Sequence, residues 1–252
     1  MQLEPITNPK SADQNTDQTE EASPATISLD EQLTKMRDDW DRRASENARF
    51  YVNTACEQWT DEEFYASGED ALQRYILTDQ DNICQGRTPK EMRILEIGCG
   101  AGRVTRSLAR FFGEVHAVDV SGEMVRQARF AVDKHPNAFV YQNNGMDLSG
   151  VPPQPFDFAF SCYVFQHIPS REVIQTYVRE VYRLLRPGAL SKFQVQGSMK
   201  VEVKPDDTWV GVPFSEEQVM LMASECGFES RYRIGVGAQE FWNWFFKQTA
   251  TR

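Results

Sequence analysis

The sequence predicts an α/β fold in which helices cover both faces of a doubly wound, mostly parallel, seven-stranded sheet. Two observations lead to this prediction. From Met92 onward, short apolar stretches alternate with stretches of helical period, a pattern typical of parallel strands joined by right-handed crossovers. The first predicted strand also runs directly into a glycine-rich turn at 98–102, the place where doubly wound sheets bind their ligands.

Two regions precede the sheet. Residues 1–27 are acidic and polar and include three prolines. Because such a composition cannot bury a core, we predict that they form a disordered tail. Residues 28–90 are predicted to be helical. Ser28 and Glu31 have the spacing of a capping box at the start of the first helix, and a second helix is predicted over 60–77.

Residues 91–252 are predicted to form one domain of alternating strands and helices. The predicted strands cover 93–97, 114–118, 138–142, 156–161, 190–196, 228–234 and 240–247. The predicted helices among them cover 104–112, 122–134, 170–185 and 215–226. The segment Arg186-Pro187-Gly188 is expected to stop the third of these helices, because proline cannot continue a helix and glycine readily caps one.

Composition argues against several classes of partner. The 252 residues include 27 Lys and Arg against 37 Asp and Glu, a net charge of −10 that would repel a nucleic-acid backbone. The longest apolar run, 219–223, is far shorter than the roughly 20 residues that span a bilayer, so we expect no membrane partner. Five scattered cysteines and three histidines match no metal or disulfide motif, and the N-terminus resembles no secretory signal. We therefore expect a cytoplasmic protein without a bound metal.

Residues 95–103, Leu-Glu-Ile-Gly-Cys-Gly-Ala-Gly-Arg, carry the strongest functional signal. Their three glycines lack a Cβ, so the backbone can turn sharply and a ligand can approach it closely. Asp119 ends the next predicted strand, 21 positions after Gly98, where a carboxylate can accept hydrogen bonds from both hydroxyls of a ribose. Dinucleotide-binding turns have the spacing GxGxxG, but Arg103 stands where the third glycine would be.

Together these features resemble the class I S-adenosylmethionine-dependent methyltransferase family over roughly residues 90–247. The resemblance implies a Rossmann-like sheet whose last strand is antiparallel, S-adenosylmethionine as the cofactor, and methyl transfer to a small-molecule acceptor. It also implies that the helices within 28–90 form a lid, and that residues 91–252 form the cofactor-binding methyltransferase domain. The chain departs mildly from the family at Ala189, where a second glycine often follows Gly188.

The resemblance also implies roles for individual residues. The glycine-rich segment would hold the methionine part and the ribose of the cofactor, and Arg103 would reach the cofactor carboxylate. Asp147 would accept a hydrogen bond from the adenine amino group, and the Met146 N–H would donate one to a nitrogen of the adenine ring. The implied cofactor-binding set is Glu96, Gly98, Cys99, Gly100, Gly102, Arg103, Asp119, Val120, Met124, Gly145, Met146, Asp147, Ser161 and Cys162.

His167 is the predicted catalytic residue. It follows the fourth predicted strand, at the sheet edge where ligands bind, and imidazole titrates near neutral pH, as suits a general base. A bracing role in the loop stays open as the alternative. Five aromatic residues are predicted to line or cover the substrate cleft, with plain core packing as the alternative: Trp40, Tyr51, Phe64, Tyr163 and Trp209.

Three other functions stay open on the sequence. The first is a protein that binds S-adenosylmethionine or S-adenosylhomocysteine without catalysis, as a partner or regulatory subunit. The second is a nicotinamide-dependent oxidoreductase, which the spacing of the glycines argues against. The third is methylation of a macromolecule, for which the chain lacks an Asn-Pro-Pro-Tyr-like motif after Ser161. The arginines Arg42, Arg43 and Arg49 could clamp an acidic substrate or could form a solvated helix face.

Overall fold

A computed structural model of the chain describes residues 27–202, 204 and 207–249, so the predicted tail lies outside the described residues except for Ile27. Its centre is a seven-stranded sheet in the order β3-β2-β1-β4-β5-β7-β6. The strands are β1 (Arg93–Ile97), β2 (Glu114–Asp119), β3 (Ala138–Gln142), β4 (Phe156–Ser161), β5 (Leu185–Val195), β6 (Phe228–Ile234) and β7 (Phe241–Lys247). Strands β1 to β5 pair in parallel, whereas β7 pairs antiparallel with both β5 and β6. The predicted fold class is confirmed.

Helices cover both faces of this sheet. One apolar layer joins the sheet to α6 and α7, and a second joins its other face to α3 and α4. This two-sided burial explains why the central strands carry apolar residues on both of their faces. The helices are α1 (Leu29–Val52), α2 (Asp61–Tyr75), α3 (Gln80–Cys84), α4 (Arg103–Phe111), α5 (Gly122–Ala131), α6 (Arg171–Leu184) and α7 (Glu216–Glu225).

The two N-terminal helices begin as their sequences predict. Ser28 caps α1 and Thr60 caps α2, each in a complete capping box. Helix α1 is broken at Asn47, which has extended backbone. Helix α2 passes so close to the start of α4 that a Cβ on Gly68 would lie 2.1 Å from the Arg103 carbonyl oxygen. Only glycine permits this approach, which fixes α2 beside the glycine-rich turn.

Strand β5 begins earlier than the sequence indicates. Helix α6 ends at Leu184, but the Arg-Pro-Gly segment that stops it already belongs to β5. Phe156 pairs with Leu185 and Phe158 pairs with Leu190, so β5 carries extra residues in an irregular stretch. The helix stop was correct, and the strand start was wrong because a bulge absorbs residues that resemble a loop.

None of the helices in the part of the chain that the structure describes is both long enough and apolar enough to cross a bilayer.

Candidate active site

A cavity of about 550 Å³ opens at the carboxyl ends of the central strands. Its walls include the ends of β1 and β2, the segments after β3, β4 and β5, and part of α1. Because β1 leads on one side to β2 and on the other to β4, the cavity lies at the topological switch point of the sheet, where open α/β sheets bind ligands. Its volume suits a small molecule.

The glycine-rich turn forms the floor of this cavity. The φ angles of Gly98 and Gly100 are +73° and +52°, in the left-handed region that side chains rarely adopt. A Cβ on Gly98 would lie 2.2 Å from a methyl carbon of Val164. The amides of Gly98 and Cys99 both donate to the Val118 carbonyl, at 2.8 and 3.0 Å, so β2 holds the turn in place.

Asp119 ends β2 beside this turn and lines the cavity. One carboxylate oxygen accepts a 2.8 Å hydrogen bond from the Gly100 N–H, and the other accepts a 3.0 Å bond from the Ser121 N–H. Burial raises the pKa of this carboxyl to about 6. Since each carboxylate oxygen can accept more than one hydrogen bond, Asp119 retains acceptor capacity for a ligand.

Glu96 and Arg103 place two opposite charges in the cavity wall. They are only 4% and 8% exposed. Arg103 donates to the Ser67 carbonyl at 2.8 Å, but its Nε has no partner among the described residues, and neither does one carboxylate oxygen of Glu96. Burial raises the pKa of Glu96 to about 7. Buried polar groups are nearly always paired, so both atoms point to a ligand that carries a donor and an acceptor.

The remaining predicted cofactor residues divide into two groups. Cys99, Val120, Met124 and Cys162 line the cavity, whereas Gly102, Gly145, Met146, Asp147 and Ser161 are not among its lining residues. The Asp147 carboxylate accepts from the Asn144 amide and from the Ser149 N–H, at 2.8 and 2.9 Å. The Met146 N–H donates to the Asn144 side-chain oxygen at 2.9 Å. The structure therefore does not bring the two predicted adenine contacts into the cavity.

The lining also contains residues that sequence reasoning missed. Asn143 donates to the Tyr177 hydroxyl at 2.7 Å, and its buried side-chain oxygen has no partner among the described residues. Asn143 directly follows β3, as Asp119 ends β2, so its position at the sheet edge was the signal that could have identified it. Gln166, Gln196, Gln239 and Glu240 complete the polar part of the wall.

His167 lies in the cavity wall with a defined tautomer. Its Nδ1 is 2.5 Å from the Trp209 carbonyl oxygen, which can only accept, so Nδ1 carries the proton. Its Nε2 is therefore an acceptor, 3.2 Å from the Gln166 amide nitrogen. Burial lowers the pKa of His167 to about 4, so the ring is neutral at pH 7. Nε2 has one lone pair, so a substrate can donate a hydrogen bond to it when that substrate displaces the Gln166 amide.

Four of the five predicted substrate aromatics line the cavity. Trp40 and Trp209 flank His167, with ring centroids 5.4 and 5.0 Å from the imidazole, and Tyr51 packs on Trp209 at 5.9 Å. The fifth prediction is not supported, because Phe64 is 1% exposed, is absent from the cavity lining and packs in the apolar cluster between α1 and α2. An aromatic residue that packs in the core and one that lines a cavity look alike in the sequence, so the sequence could not distinguish Phe64 from the other four.

Tyr163, the fourth lining aromatic, has a left-handed backbone with φ +58°, which is uncommon for a side chain of this size. Its hydroxyl lies 2.8 Å from the Tyr75 hydroxyl. Burial raises the pKa of Tyr163 well above its usual value, and contacts with Tyr75 and Glu240 add to this rise. Backbone strain of this kind is often found at functional sites.

Residues 207–210 close over one side of the cavity. Arg43 donates to the carbonyl and the hydroxyl of Thr208, at 3.2 and 3.0 Å, and the Thr208 hydroxyl donates to Asp39 at 2.8 Å. The Arg43 guanidinium also lies 5.3 Å from the centre of the Trp209 ring. These contacts bind the segment to α1.

The three arginines of α1 do not form the substrate clamp that the sequence left open. Arg43 is bound to Thr208, Arg42 pairs with Asp39 and Glu46, and Arg49 pairs with Asp61. None of the three lines the cavity.

Comparison with known proteins agrees with this geometry. Residues 94–188 match the family model described as a methyltransferase domain. The chain is 32% identical over 160 residues to N-demethylindolmycin N-methyltransferase of Streptomyces griseus, covering 62% of this chain and 61% of that protein. It is 31% identical over 97 residues to the ubiquinone biosynthesis O-methyltransferase of Xanthomonas euvesicatoria pv. vesicatoria (strain 85-10), covering 38% of this chain and 39% of that protein.

Among solved structures, the complex of DhpI with S-adenosylhomocysteine superposes with a TM-score of 0.58 at 18% identity, covering 86% of this chain and 97% of that chain. At this identity the likeness concerns the fold. The chain spans 61% and 39% of the length of the two curated relatives. The matched segment contains both the glycine-rich turn and Asp119. Similarity to methyltransferase domains in sequence thus extends over residues 94–188, and likeness in fold extends over most of the chain.

Proposed function

We propose that the protein transfers a methyl group from S-adenosylmethionine to a small-molecule acceptor. The observation that carries this proposal is a single cavity that joins the glycine-rich turn and Asp119 to an aromatic wall around His167. A site for a nucleoside and a site for a second small molecule thus share one enclosed space. The two curated relatives are named for methylation of small molecules, which supports an acceptor of that class.

The residues present fit the cofactor. We propose that Asp119 accepts from the ribose hydroxyls, that Arg103 binds the carboxylate of the methionine part, and that Glu96 binds its ammonium group. The unpartnered atoms of Arg103 and Glu96 support this assignment, since a ligand with these two charges would satisfy both. Cys99, Val120, Met124 and Cys162 would supply the apolar contacts.

The cofactor would supply a methyl group already activated by its positive sulfur, so the protein has to align the acceptor and exclude water. We propose that α1 and residues 207–210 act as the lid that excludes water, held closed by Arg43 and Thr208. We also propose that His167 Nε2 accepts a hydrogen bond from the acceptor and withdraws its proton. A cytoplasmic location and the absence of a nucleic-acid partner remain part of the proposal, on the grounds of composition.

Calorimetry with S-adenosylhomocysteine and with NADH tests the cofactor assignment. We expect S-adenosylhomocysteine to bind and NADH not to bind, because the turn lacks the third glycine of a dinucleotide site. Binding of NADH alone would contradict the proposal. Incubation with methyl-labelled S-adenosylmethionine and a metabolite extract should then transfer the label. Tight binding without any transfer would instead favour a cofactor-binding protein without catalysis.

Two replacements of His167 distinguish a role in proton withdrawal from a purely structural role, in which the ring only holds the loop through the Trp209 carbonyl. Alanine removes both ring nitrogens, whereas asparagine keeps a donor near the position of Nδ1, so it can still bind the Trp209 carbonyl. We expect both variants to lower kcat at least about tenfold, which is less than the roughly 100-fold or more typical of a general base, because the pKa of about 4 makes this base weak. Affinity for S-adenosylhomocysteine should not change. Full turnover in His167→Asn would assign the ring to bracing alone.

A further inference from the structure

The charges that line the cavity are unevenly distributed. Three carboxylates face it, those of Glu96, Asp119 and Glu240. Among the described lining residues, Arg103 is the single guanidinium, and there is no lysine. His167 adds no charge, because it is neutral at pH 7. Since Glu96 and Asp119 are assigned to the cofactor, Glu240 is the lining carboxylate that an anionic acceptor would meet.

Glu240 is the carboxylate that the cofactor assignment leaves unused. It directly precedes β7, and its neighbour Gln239 is held in place because the Gln194 amide donates to the Gln239 carbonyl at 3.2 Å. Glu240 lies near enough to the Tyr163 hydroxyl to help raise the pKa of that group. The exposed Arg74 is close enough to interact with Glu240, but it stacks on Tyr75 and does not line the cavity. The Glu240 carboxylate is thus free to face a bound acceptor.

The lining residues on the acceptor side are aromatic or uncharged, and the Arg43 guanidinium lies behind them, bound to Thr208 and 4.8 Å from the centre of the Trp40 ring. Trp40, Tyr51 and Trp209 surround His167, and the amides of Gln166 and Gln196 supply uncharged donors and acceptors. Aromatic faces attract flat apolar molecules and cations, and they offer nothing to a carboxylate or a phosphate.

We propose that the methyl acceptor is an aromatic molecule without an anionic group, and that Glu240 determines this preference. This inference rests on the proposed function and specifies its substrate class. For an amine acceptor, the Glu240 carboxylate attracts the ammonium, which gives its proton to His167 Nε2. The nitrogen lone pair then forms the bond to the methyl carbon, while the carbon–sulfur bond breaks and its electron pair stays on sulfur.

Three indole probes that differ only in side-chain charge test the proposal. They are tryptamine, which is cationic, tryptophol, which is neutral, and indole-3-acetate, which is anionic. Calorimetric titration into the full chain, with and without S-adenosylhomocysteine, should show that indole-3-acetate binds at least about tenfold more weakly than either of the others. Equal or tighter binding of indole-3-acetate would overturn the proposal, as would a lack of binding by all three.

The variant Glu240→Lys tests the assigned residue. Glu240 is exposed, so we expect the variant to fold normally, and its preference should shift by about tenfold or more towards indole-3-acetate. The control is Glu229→Lys, an exposed carboxylate of β6 outside the cavity, which should leave the order of the probes unchanged. An unchanged order in Glu240→Lys would overturn the assignment. Failure to bind S-adenosylhomocysteine would count against the methyltransferase proposal instead, because the order of the probes is also measured without it.

Discussion

Replacing Asp119 with alanine is expected to weaken the binding of S-adenosylhomocysteine by about 100-fold. Asp119 would accept hydrogen bonds from two ribose hydroxyls, and a hydrogen bond to a charged group contributes about 1.5 kcal/mol. The same carboxylate accepts from the Gly100 N–H at 2.8 Å, so the variant also loosens the turn on which the ligand lies. Calorimetry on the purified variant measures the change in Kd.

Asp147→Ala is the matched control for this experiment. Asp147 was the other aspartate predicted to touch the cofactor, but its carboxylate is bound to Asn144 and Ser149 and does not line the cavity. We expect its removal to change Kd less than threefold (~0.6 kcal/mol). If Asp147→Ala weakened binding as much as Asp119→Ala, the adenine contact predicted from the sequence would be restored and the proposed ligand set would change.

The affinity for S-adenosylhomocysteine should also depend on pH. The ionised form of Asp119 accepts hydrogen bonds, whereas the protonated form has lost part of this capacity. Because burial raises the pKa of Asp119 to about 6 in the free protein, affinity should fall as the pH decreases below about 6. In Asp119→Ala the decline should be smaller, leaving the part that comes from protonation of Glu96, whose pKa is about 7. A parent protein whose affinity stays constant between pH 7 and about 5 would show that Asp119 is not the ligand.

Local sequence signals were sufficient for the sheet and for the glycine-rich turn. The alternation of apolar strands and amphipathic helices predicts crossovers, and a turn that needs left-handed φ values has to contain glycine. The capping boxes at Ser28 and Thr60 are equally local, since each is complete within four residues. In these elements, the residues that form the sequence pattern are also the residues whose contacts produce the structure.

The rest of the site depends on contacts between distant residues. Arg43 binds Thr208, which is 165 positions away. The sequence of α1 alone therefore could not show whether Arg43 binds an acidic substrate, is solvated or holds residues 207–210 against α1. Glu240 enters the cavity from the segment before β7, and no motif marks it. The prediction that Asp147 is a ligand rests on its position after β3, and sequence order does not show that the Asn144 amide binds its carboxylate.

Glu96→Gln should make the free protein more stable and its complex weaker. Glu96 is buried, and one of its carboxylate oxygens has no partner among the described residues. The rise in its pKa from 4.5 to about 7 corresponds to about 3 kcal/mol of destabilisation when the group is charged. Glutamine has the same shape without the charge. After about 1 kcal/mol for burying an incompletely bonded amide, we expect a net gain of about 2 kcal/mol at pH 8.

The dependence of this gain on pH identifies its cause. Between pH 4.5 and about 7, the folded parent protein binds a proton at Glu96 that the unfolded chain has released, so the parent loses stability as the pH rises through this range. Urea unfolding should therefore show the advantage of Glu96→Gln at pH 8 and almost none at about pH 5. The exposed Glu57 provides a control, since Glu57→Gln should leave stability unchanged at both values.

The ligand measurement on Glu96→Gln should move in the opposite direction. A neutral amide can still accept a hydrogen bond from the ammonium group of the ligand, but it loses the charge attraction, so we expect binding of S-adenosylhomocysteine to weaken about tenfold. A variant that gained stability at pH 8 and kept its affinity would show that Glu96 does not contact the ligand. A variant whose stability at pH 8 did not rise would show that Arg103 already compensates the charge of Glu96 in the free protein. The two measurements together thus determine whether the buried carboxylate is kept for binding at the cost of stability.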